Sequence, residues 1–105
     1  MSKLPRTVRV GPHIYRFRRT AAVDHEQRWA ETSFRAREIR FGELCNPEEM
    51  PASLVHELVH SVAEAYGVDL GEGQVTALAN GLTQALMDLK LLPKTLELSE
   101  DDSHN

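Results

Sequence analysis

Two periodicities divide the chain. Over its first forty or so positions apolar residues alternate with polar ones. Val8 and Val10 alternate with Thr7 and Arg9, Tyr15 and Phe17 with Arg16 and Arg18, and Ile39 and Phe41 with Glu38 and Arg40. A period of two sends one set to a core face and the other to water, as in half-buried strands. Thr7 to Gly11 and His13 to Thr20 form a predicted hairpin across the Gly11-Pro12 turn. Trp29 to Ser33 and Ala36 to Gly42 are predicted as strands joined by a short turn. Ala21 to Arg28 fits a loop or a helical turn equally well.

Beyond Asn46-Pro47 the pattern becomes helical. A helix opening at Met50 or Pro51 and running to Tyr66 gathers Leu54, Val55, Leu58, Val59, Val62, Ala65 and Tyr66 within about 140° of its circumference. Gly67 is its stop signal. A second helix over about Glu72 to Lys90 aligns Val75, Leu78, Ala79, Leu82, Leu86 and Leu89. Pro93 ends the expected order, and Glu97 to Asn105 reads as an acidic tail. The predicted fold class is therefore α+β, a small N-terminal antiparallel β-sheet packed on two C-terminal helices. Residues 1–96 would form one domain, with 97–105 as the tail.

Composition bounds the function classes. A chain of 105 residues, 41% hydrophobic and 27% charged, suits one modest globular core. No apolar stretch approaches the roughly 20 residues of a membrane span. Met1 to Arg6 lacks the apolar run of a secretory signal, so the expectation is a cytoplasmic protein with no membrane partner. The single cysteine, Cys45, has no internal partner and reads as a buried thiol. A core this small without a disulfide suits a reducing compartment, or a bound metal that helps to hold the fold.

The net charge of -4 conceals a split of +6 over residues 1–41 and -10 over residues 42–105. Nine of the ten basic residues in the first part are arginines, which raises the question of nucleic acid. The alternation places them on the solvated faces of strands, and no set of stacking aromatics accompanies them, so nucleic acid is not the favoured partner.

Residues 56–60 read His56-Glu57-Leu58-Val59-His60, an H-E-x-x-H on the first predicted helix. Residues four apart lie one turn apart on one face, so both imidazoles can address a single ion. A catalytic zinc takes three protein ligands and keeps a position open. Glu64 is not the third, because it stands about 12 Å along the axis from His56. The metzincin pattern would place Gly and His where Ala63 and Tyr66 stand, so that class is excluded. Glu72, in the first turn of the second helix, is the favoured third ligand, with Asp69 in the connecting loop as the alternative. The connection from Gly67 to Gly71 can extend roughly 16 Å, enough to run back toward His60.

From Leu54 to Asp88, H-E-L-V-H followed by V-D-L-G-E-G-Q-V-T-A-L-A-N-G-L resembles the very small phage and prophage metallopeptidases of the gluzincin type. The resemblance implies one Zn2+, with His56, His60 and Glu72 as its ligands and Glu57 as the catalytic base. The larger thermolysin-like enzymes carry their glutamate ligand in an Asn-Glu-x-x-x-Asp context, whereas Gly71 and Thr76 flank Glu72 here. The expected activity is hydrolysis of a peptide or protein substrate by a monomer, Glu57 taking the proton from a zinc-activated water. The strand Ala36 to Phe41, just ahead of the motif helix, is the expected sheet edge for an extended substrate. Tyr66, His13 and His25 are candidate donors to the oxyanion, none favoured over the others; Trp29 reads as core or cleft wall. Two other classes are compatible with the sequence: a catalytically silent, metal-stabilised regulatory module, and an arginine-based nucleic-acid binder.

Overall fold

The computed structural model describes residues 2–25 and 28–99. Its elements are strands β1 (Ser2–Lys3), β2 (Thr7–Val10) and β3 (His13–Arg19), helix α1 (Ala21–His25), strands β4 (Ala30–Ser33) and β5 (Glu38–Phe41), helices α2 (Met50–Ala65) and α3 (Glu72–Asp88), and strand β6 (Leu96–Glu97). The fold is α+β, a small sheet packed on two helices, as the periodicities imply. The alternation is realised as expected. Tyr15, Phe17, Ile39 and Phe41 are buried on one face of the sheet, where Met50 and Leu54 of α2 join them. None of the described helices is long and apolar enough to cross a membrane.

The sheet departs from expectation in its order, β2-β3-β5-β4, and in being mixed rather than wholly antiparallel. β5 pairs in parallel with β3 on one side, Phe17 opposite Ile39, and antiparallel with β4 on the other, Thr32 opposite Ile39. The chain leaves β3 through α1, lays down β4, and turns back through residues 34–37, with Arg37 at φ 55°, to insert β5 between them. Ala36 to Phe41 is therefore not a sheet edge; β4 is. Alternation specifies which face a residue takes but neither the neighbour nor the direction of its strand.

The outer face carries the arginines, arranged around two carboxylates. Glu38 accepts hydrogen bonds from Arg40 Nε at 2.8 Å and Arg16 Nη2 at 3.0 Å, and Arg40 also reaches Glu31 at 3.2 Å. Burial alone would raise the Glu38 pKa, but the bonds from Arg40 and Arg16, and the charges of Arg40 and Arg18, outweigh it and hold the carboxyl below its ordinary value.

Order continues past Pro93. β6 pairs in parallel with β1, Leu96 is buried in the core, and Ser99 Oγ donates to the Leu4 carbonyl at 2.7 Å. Glu97 and Ser99, expected in the tail, are thus tied to the fold, and the rest of that segment, 100–105, lies outside the described residues. The helical stripes also prove wider than the core. Val62 and Tyr66 of the first stripe, and Leu78, Leu82 and Leu89 of the second, are about half exposed or more. The cause is layering: α3 packs chiefly on α2, which covers only Val75 and Ala79 completely.

Glu38→Gln should lower the unfolding free energy at neutral pH by about 1–2 kcal/mol, discounted for the exposed arginines. Because the folded-state pKa is depressed, this contribution is complete above the ordinary value of 4.5 and is lost as pH falls below it. Denaturant melts of both proteins across that range should converge on the acid side.

Candidate metal centre

Helix α2 presents His56 and His60 one turn apart, their ring centroids separated by 5.0 Å. Asn46 opens the approach to this helix, its side chain accepting from Glu49 N–H at 2.9 Å. Pro51 falls in the first turn, where a missing N–H costs nothing. At the far end Gly67 takes φ 69°, while Val68 N–H bonds the Ala63 carbonyl at 2.9 Å and Gly67 N–H that of Glu64 at 3.4 Å. This pair of bonds is a Schellman turn, which needs the left-handed conformation that glycine adopts at least cost. The chain then starts α3 beside the histidines. Gln74 Oε1 accepts from Gly71 N–H at 2.8 Å, the half of a capping box that a glycine N-cap permits.

Glu72 consequently enters the site on the first residue of α3. Its two carboxylate oxygens lie 2.9 Å from His56 Nε2 and 3.2 Å from His60 Nε2. The three side chains offer ligand atoms all within 4.8 Å of one another. Tetrahedral zinc with ligands at about 2.0–2.1 Å sets its donors roughly 3.3 Å apart, so a group this close could hold such an ion. Two imidazole nitrogens and one carboxylate oxygen also suit that ion better than a hard, oxygen-seeking one. Among the described residues this is the one such group, and Asp69 is not part of it.

Glu57 lies about 100° round the helix from His56, turned toward the sheet. It is 7% exposed, and its Oε1 accepts from Thr32 Oγ1 on β4 at 2.7 Å. The His pair thus faces α3 while the glutamate faces β4. Between them opens a cleft of about 880 Å³ that takes in all four side chains. Trp29 and Phe34, at the two ends of β4, are partly exposed on its wall, and Asn80 of α3 borders it too.

The other sequence candidates fall outside the cleft lining. Tyr66 is 66% exposed rather than core-facing, and His13 and His25 are not among the residues bordering the cleft. Glu64 pairs instead with Arg37 at 3.7 Å. Cys45 is buried as expected, and desolvation pushes its thiol pKa up, which disfavours the thiolate a metal would need. Trp29 is cleft wall. Thr32, Phe34 and Asn80 carry no motif and become visible only once β4 is known to be the edge beside α2.

Comparison of the chain with protein-family models, with curated proteins and with solved structures returned no match. Gly67→Ala meets no atom within 4 Å of the added Cβ, so only the positive φ opposes it. The expected cost is about 1 kcal/mol in urea unfolding, without loss of the helical signal.

Proposed function

We propose that this chain is a zinc-dependent metallopeptidase of the small, gluzincin-like kind, most suited to cutting within an extended peptide. The observation that carries the proposal is the convergence of His56, His60 and Glu72 on one point of a cleft that Glu57 also borders. A zinc ion held by those three side chains would supply Lewis acidity, drawing the pKa of water down to about 7 and polarising a carbonyl. Glu57 is the group to accept the proton from the attacking water and to hand it to the departing amine. It is 7% exposed and borders the cleft, with one carboxylate oxygen held by Thr32.

The edge strand supports a peptide substrate. Gly42 N–H bonds the Trp29 carbonyl at 2.9 Å, which makes Ala30 and Phe41 a pair without mutual hydrogen bonds. By alternation the N–H and C=O groups of Ala30 and Thr32 point away from β5, toward the open side of the sheet. An extended peptide added there would run beside Glu57, with Trp29 and Phe34 offering apolar surface near either end.

Zinc at a hundredfold excess over its dissociation constant should stabilise the protein by about 2.7 kcal/mol, raising Tm by roughly 10–20 °C. A chelator should reverse the shift, and Glu72→Ala should abolish it. Glu57→Gln should keep the zinc-dependent shift while cleavage of a peptide library falls by about 100-fold to 10,000-fold. A wild-type protein that binds zinc and cleaves no peptide would leave the metal-stabilised regulatory module as the better reading; identical melting with and without chelator would remove the metal.

A further inference from the structure

A hydrogen bond to the proposed base's carboxylate comes from the sheet, not from the motif helix. We infer that Thr32 is a positioning residue that holds Glu57 in its working rotamer from the edge strand, an inference that rests on the peptidase reading above. A glutamate has three side-chain torsions, and α2 fixes only its point of attachment. Thr32 Oγ1 lies 2.7 Å from Glu57 Oε1 and donates its proton there, which leaves Oε2 as the oxygen free to take one from water. The donor is itself fixed. Threonine is β-branched and has few side-chain rotamers open to it, and it stands opposite the fully buried Ile39, between Glu31 and Ser33, the residues whose backbones bond β5. The carboxylate is thereby referenced to the sheet as well as to its own helix.

The same residue meets the substrate. Its N–H and C=O are among those left pointing to the open side of the sheet. A peptide paired with Thr32 would therefore share one residue with the base, and the distance from the paired peptide bond to the Glu57 carboxylate would depend less on how α2 breathes against the sheet. A threonine that merely satisfied a buried carboxylate would have no such link to catalysis.

Thr32→Val, which removes the hydroxyl and keeps the shape, should lower kcat by about 100-fold, the scale of a misplacement of roughly 1 Å. KM should change by no more than about twofold, because the backbone that pairs with the peptide is retained. Thr32→Ser should restore kcat to within about threefold of wild type, and in a Glu57→Gln background Thr32→Val should cause no further loss. A readout independent of turnover is the crystal structure of each metal-free protein, with Glu57 in one rotamer in wild type and Thr32→Ser but displaced or split in Thr32→Val. Should Thr32→Val fail to fold, Thr32→Ala is read by the same measures. Wild-type kcat in Thr32→Val, an equal loss in Thr32→Ser, or an unmoved Glu57 overturns the assignment while leaving the peptidase in place. A wild-type protein that cleaves no peptide with zinc bound overturns both.

Discussion

A single helix of 16 residues, α2, has to satisfy the sheet and α3 at once, and the rest of the fold follows from that. Leu54 commits one side to the sheet. About 100° and 180° further round, Val55 and Ala63 commit a second side, buried away from the sheet cluster where α3 lies. The arc between the two holds His56, Glu57 and His60, so the motif lies where the side that meets the sheet adjoins the side that meets α3. This is why one site can draw on both the sheet and α3 in a chain with room for little else.

That arrangement has an energetic side. The two imidazoles and the Glu72 carboxylate sit at a solvent-open junction, where an ion pair alone stabilises little. Glu57, by contrast, is buried and depends on its hydroxyl partner, since a carboxylate without one is costly to desolvate. The site thus joins a loosely satisfied ligand set to a tightly satisfied carboxylate. A metal would convert the first into a structural tie between α2 and α3, whose mutual contact otherwise rests on small apolar residues such as Val75 and Ala79.

Much of this was legible in the sequence, for physical reasons that differ by element. The two helices and their ends could be read because the apolar period, Pro51 and Gly67 act locally. The approach of Glu72 to the histidines could be argued because chain reach and helix spacing bound it. The strand faces could be read from Tyr15, Phe17, Ile39 and Phe41, but the parallel pairing of β3 with β5 could not, since nothing local records which strand a segment chooses. Thr32 was hidden by that same gap: its role exists only because β4, and not β5, lies at the edge. The exposure of Leu78, Leu82 and Tyr66 was missed because a stripe reports an apolar face and not the size of the partner that covers it. Leu96 was missed because a two-residue strand has no period.

The clasp between the chain's two extremities sets the order in which the molecule can be completed. Leu96 lies in the core, its N–H bonded to the Pro47 carbonyl just ahead of α2, and Ser99 reaches across 95 positions to Leu4. Contacts of such separation close late, after their long loop has been gathered. During synthesis, then, the sheet and the motif helix are made first but wait with one end of their core open until the residues around 96 have left the ribosome. The last core position to be filled is thus supplied by the segment around residue 96, after both helices have been made.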